Sequence, residues 1–159
     1  MAAPFNSPLE TGVRSLSILA AAFPNALDLQ RLVDFDYLVV HSGDAGGPES
    51  LHAPLPLRSG ELLVRRGLIE SGLLLMMSRG LVQRITSSAG IQYIATDSAG
   101  AFLSSLSSPY LARLKQRARW VADTFGEASD EELRLVTQRF FEEWSTQFQR
   151  VEGAGEVRP

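Results

Sequence analysis

The chain has 159 residues, 45% hydrophobic and 21% charged, which suits one soluble globular domain with a core of its own. It has no cysteine, which excludes disulfides and thiolate metal sites, and its net charge of −3 lacks the basic surplus of a dedicated nucleic-acid binder. The first residues, Met1-Ala-Ala-Pro-Phe5, show no signal peptide, and the most apolar stretch, from Leu68 to Met77, is too short and too interrupted to span a bilayer, so a cytoplasmic protein is expected.

Ser7-Pro8-Leu9-Glu10 reads as a helix start: a capping serine, proline at the first helical position and a glutamate three residues after the cap. Leu9, Val13, Leu16, Ala20 and Phe23 then fall on one face, and Pro24 stops the helix. A second helix is expected from about Leu27 to His41. It is apolar on several faces, through Leu29, Leu32, Val33, Phe35, Leu38, Val39 and Val40, and such a helix is either internal or covered by a partner. Residues 42–58 hold three prolines and three glycines and read as a loop.

Ser59 opens a third helical region that ends at Arg79-Gly80. Gly67 and Gly72 weaken it by about 1 kcal/mol each relative to alanine, and a turn near Gly67 would divide it in two. The period then changes to two. Residues 81–86 and 91–96 read as strands around a Ser87-Ser88-Ala89-Gly90 turn, and this hairpin must lie on the helical core to be stable. Asp97 caps a short helix to about Leu106, Ser108-Pro109 starts another that Gly126 ends, and Ser129-Asp130-Glu131-Glu132 is a second capping box. The last helix carries Leu133, Val136, Phe140, Trp144 and Phe148 on one stripe with Phe141 beside it, and the tail after Val151 is aperiodic. The expected fold is mainly α with one β-hairpin: a winged-helix domain over residues 1–107, with its wing at 81–96, a C-terminal helical extension over 108–150, and a disordered tail at 151–159.

The chain shows no phosphate-binding loop, nucleophile elbow or His-Glu-x-x-His zinc motif. His41, Asp44 and His52 could supply three metal ligands or a general base. The plainer reading makes His41 a helix-end residue and His52 a loop residue, so no catalytic, metal or cofactor site is expected. Arg65, Arg66, Arg79 and Arg84 are candidate phosphate contacts, and Arg113, Lys115, Arg117 and Arg119 form a second basic run. The segment that would enter a DNA groove, however, is dominated by Leu73, Leu74, Leu75, Met76 and Met77, poor in the polar side chains that read bases. Leu73, Leu74, Met76, Met77 and Phe141 are instead expected to meet a protein partner.

Five segments carry a family resemblance: Leu27 to Val33, Asp36 to Asp44, Gly47 to His52, Arg58 to Arg66 and Met77 to Val82. Together they resemble the middle component of bacterial ABC three-component conflict systems, which overlap the Lamassu group of anti-phage and anti-plasmid defences. The resemblance spans roughly Asn6 to Phe148. It implies a non-catalytic winged-helix accessory subunit that bridges an SMC- or Rad50-like coiled-coil ATPase and a separate effector, often a nuclease. ATP hydrolysis and DNA cutting would belong to those partners, and DNA would be met through the complex. A MarR-like winged-helix transcription regulator is the alternative.

Overall fold

The computed structural model describes residues 7–52, 59–139 and 142, with the backbone alone at 59–62. Helix α1 spans Pro8–Ala22 and starts as the capping serine requires, with the Glu10 N–H donating to Ser7 Oγ at 3.2 Å. It is the central helix, packed against the second, third, fourth and fifth helices and the sheet. Its core face is Val13, Leu16, Ile18 and Leu19; Leu9 and Phe23, expected on the inner stripe, are exposed.

The second helix, α2, is Leu29–Val40, two residues later than the periodicity suggests. Asp28 is its cap, accepting from the Arg31 N–H at 2.8 Å, and Leu27–Asp28 is instead a short strand, β1. The hairpin is β2 (Val82–Ser87) and β3 (Gly90–Ala95), and β1 pairs antiparallel to β3 with Leu27 opposite Tyr93. Among the described residues the sheet therefore has three strands in the order β1-β3-β2 rather than the hairpin alone. Gly90 takes φ 102° just after the Ser88-Ala89 turn, a conformation that glycine adopts without a Cβ penalty. Helix α2 is enclosed by this chain's own elements: Leu32, Val33, Phe35, Leu38, Val39 and Val40 are all buried. Of the two alternatives open for an apolar helix, internal or covered by a partner, these side chains take the internal one.

Helix α3, Ser59–Ser78, is one unbroken helix, and Gly80, at φ 71°, follows its end. Its two glycines differ in role. Gly72 and Gly12 mark the crossing of α3 on α1, where a Cβ on Gly72 would stand 2.6 Å from the Gly12 nitrogen. A Cβ on Gly67 would meet nothing within 4 Å. A short α4 (Ala99–Ser105) precedes α5 (Pro109–Phe125), which Ser108 caps, and α6 covers residues 130–139 after the Ser129 cap. Leu114, Ala118 and Val121 of α5 and Leu133 of α6 join the same core as α1 and α2.

Two substitutions separate the glycines. Gly72→Ala forces the backbones of α1 and α3 apart and is expected to destabilise the fold by about 1–3 kcal/mol, as overpacking does. Gly67→Ala should stabilise it by about 0.5–1 kcal/mol through helix propensity alone. Urea midpoints of the two variants against the parent measure both.

Candidate functional site

The most polar part of the interior is one carboxylate between two guanidiniums. Asp36 lies on α2 between Phe35 and Tyr37 and is fully buried. Arg14 of α1, itself buried, grips both oxygens, donating from Nε to Oδ1 at 2.8 Å and from Nη2 to Oδ2 at 3.4 Å, and Arg65 of α3 also donates to Oδ2. Burial alone would push the Asp36 carboxyl up; the charges and hydrogen bonds of Arg14 and Arg65 outweigh it and bring it down to about 2. The cluster therefore holds two fixed positive charges and one negative.

The histidines surround this cluster. His41 caps α2 with its ring 4.9 Å from that of Tyr37, and burial followed by the Arg65 charge lowers it to about 3. His52 shares a hydrogen bond with the Tyr110 hydroxyl at 3.2 Å, and burial followed by the Arg14 charge lowers it to about 4. Both are neutral at pH 7. Among the described residues, no three His, Cys, Asp or Glu side chains stand close enough to hold a metal ion.

The loop between these histidines is tied down from α5. Arg117 donates twice to the Glu49 carbonyl, at 3.0 and 2.8 Å, and Gly47 lies so close to Trp120 that a Cβ there would stand 2.4 Å from the indole. Lys115 reaches the Leu103 carbonyl and Arg119 the Ala21 carbonyl. Members of the second basic run are thus engaged with this chain's own backbone.

The residues expected to meet partners divide sharply. Leu73 and Met76 are core, 1% and 0% exposed, packed toward α1, so they are not a surface; Met77 is half-buried against the same core. Leu74 is 61% exposed. Phe141, with Phe140, Trp144 and Phe148, lies outside the described residues. Of the arginines, Arg65 is committed to Asp36, and Arg66 donates to Gln30 Oε1 at 3.1 Å beside Glu70. Arg79 and Arg84 are exposed at the end of α3 and on β2.

Two exterior features were not anticipated. The outward side of α3 exposes Leu63 (73%) and Val64 in addition to Leu74, with Gly67 and Ser71 between them. Beside it, α2, the start of α3 and α6 enclose a cleft of about 1130 Å³. Val33, Tyr37 and Leu63 form its apolar lining, and Asp28, Asp34 and Glu131 are among the carboxylates around it. Burial pushes the Asp34 carboxyl up to about 6, although the Gln30 amide donates to it at 3.2 Å. Opposite, Arg31 ties α2 to the α5–α6 corner: it donates to the carbonyls of Phe125, Gly126 and Ala128 and pairs with Asp130 at 3.1 Å.

Comparison with known families decides the relationship. The model of the family described as ABC-three component (ABC-3C) system Middle Component 2 matches residues 4–147. The chain belongs to this family. Middle Component 2 is a part of a multi-component system, so the ABC-3C chain has protein partners. No curated protein and no solved structure matches it. No helix among the described residues is long and apolar enough to cross a membrane. The interior of this middle component is built around Asp36, which the resemblance did not single out. The available signal was an aspartate between two aromatic residues in the most apolar part of the helix.

Two outcomes test the cluster. Asp36→Asn leaves Arg14 charged, buried and without its counter-ion, and should cost about 3–5 kcal/mol in urea unfolding. The pH dependence has a definite sign. Each histidine binds a proton in the unfolded chain below about pH 6.5 that the folded chain refuses until about pH 3 or 4. Stability is therefore complete above about pH 6.5 and falls as the pH drops below it; Asp34, raised when folded, runs the opposite way between about pH 4 and 6 and reduces the slope. The urea midpoint should fall from pH 7 to about pH 5, and His41→Gln should remove much of that fall.

Proposed function

We propose that this chain is a non-catalytic accessory subunit of an anti-phage or anti-plasmid defence complex, bridging an SMC- or Rad50-like ATPase and an effector. The observation that carries the reading is the outward side of α3. Its inner side is consumed by α1, yet Leu63, Val64 and Leu74 stand exposed on the other, an apolar surface suited to protein contact. Membership in a middle-component family supports a role among partners. The same reading makes the domain a winged helix: the order α1-β1-α2-α3-β2-β3 and the strand order β1-β3-β2 support it, with residues 81–96 as the wing. ATP and any nuclease chemistry then lie in the partners, and the complex works in the cytoplasm.

A second reading, a MarR-like regulator, draws on the exposed Arg79 and Arg84, which could touch phosphates from the end of α3 and the hairpin. It is the weaker one, because the outward side of α3 carries Leu63, Val64, Gly67, Glu70, Ser71 and Leu74 and none of the Arg, Asn or Gln side chains that read bases best.

Co-expression with the other components of its system tests the first reading. A stable complex should co-purify, and Leu74→Glu should disrupt it while leaving the melting temperature of the isolated chain unchanged. A chain that never co-purifies with those components, and instead shifts the DNA upstream of its own operon in a sequence-dependent manner lost on replacing Arg79 and Arg84 by Ala, overturns it in favour of the regulator.

A further inference from the structure

We propose that the cleft between α2, α3 and α6 is a docking groove for a basic amphipathic helix presented by another component of the complex. The inference rests on the accessory-subunit reading and adds where a partner segment seats and what chemistry it carries.

Shape and lining come first. At about 1130 Å³ the cleft has room for about two and a half turns of a helix about 10 Å across. Its lining is more apolar than polar, and it includes Leu63, one of the most exposed leucines of the fold, beside the Tyr37 and Val33 side chains of α2. Val33 and Tyr37 are already buried, so the apolar surface that an amphipathic helix seated here would remove from water is chiefly that of Leu63.

Charge then selects the occupant. Five carboxylates surround the cleft against two guanidiniums, those of Arg66 and Arg134. Some are already engaged: Asp130 pairs with Arg31, and Asp28 caps α2. Asp34 and Glu131 supply the surplus. Asp34 is the telling one, because it is partly buried in the groove wall, it receives a neutral amide from Gln30, and the Arg31 charge that acts on it is shared with Asp130. A lysine or arginine flanking the apolar stripe would give that carboxylate the cation its partial burial calls for. An acidic helix would meet like charge along the rim, and a wholly apolar one would leave Asp34 desolvated without compensation.

The test uses the full chain and a synthetic helical peptide of leucine and lysine, with leucines at i, i+3, i+4 and i+7. Two control peptides accompany it: the same composition in scrambled order, and the same pattern with glutamate for lysine. Binding is followed by fluorescence anisotropy at low and physiological salt. The patterned basic peptide should bind, the scrambled and acidic ones about tenfold or more weakly. The double variant Asp34→Asn, Glu131→Gln should lose about tenfold in affinity and part of the salt dependence, whereas Asp123→Asn on α5, away from the groove, should change nothing. Equal binding of scrambled and patterned peptides, or undiminished binding by the double variant, overturns the proposal.

Co-expression separates the two levels. If the double variant assembles with its components as the parent does, the groove assignment falls and the accessory role stands. If the parent assembles with nothing, the accessory role itself falls. Loss of assembly in the double variant, with Asp123→Asn unaffected, supports both.

Discussion

Asp36 stands where α1, α2 and α3 converge, and its two oxygens take guanidinium groups from the helices on either side. A carboxylate at full burial is tolerable only when its charge is met and its lone pairs are used, and here both conditions depend on α1 and α3 arriving in one relative position. Apolar contacts between helices accept small slips and rotations; a bidentate guanidinium–carboxylate bond does not. The Gly12–Gly72 crossing acts in the same direction. It lets α3 approach until backbone meets backbone, close enough for Arg65 to reach across to Asp36. Contact and charge thus fix the same register.

That register determines what α3 shows to the outside. Once Gly72 faces α1, Ile69, Leu73 and Met76 must follow it inward, and Leu63, Gly67 and Leu74 must turn outward. The exposed apolar side chains of α3 are therefore a consequence of the interior geometry, and they share the exterior with Glu70 and Ser71. The arginines are sorted by the same rotation. Arg65 is drawn in, Arg66 stays at the edge of the cleft, and Arg79 emerges beyond the last turn. Arginines grouped in the sequence analysis as candidate phosphate contacts thus lie apart in three dimensions.

The legibility of the sequence followed the range of the interactions. Caps are local, so Ser7, Ser108 and Ser129 were readable, as were the hairpin and the glycine that ends α3. Strand β1 was not, because two residues carry no period and Leu27–Asp28 becomes a strand only when β3 lies beside it. The apolar surplus of α2 was visible but ambiguous, since a helix apolar on several faces is as well explained by neighbours from its own chain as by a foreign one. Leu73, Leu74 and Met76 are equally apolar in sequence, and only the contact of Gly72 with Gly12 decides which of them face the core. The cleft joins residues near position 30 to residues near position 130, a separation at which no local pattern speaks.

Arg31 has one further consequence. Its single side chain reaches from the first turn of α2 to three carbonyls and a carboxylate at the bend between α5 and α6. The bend is moored to the helix across from it, and that helix begins where β1 ends. A tug on the C-terminal side of the molecule is therefore passed, through one guanidinium, to the Leu27–Asp28 strand and on to the hairpin it pairs with. This one guanidinium thus adds a polar tether to the direct packing of α2 on α5.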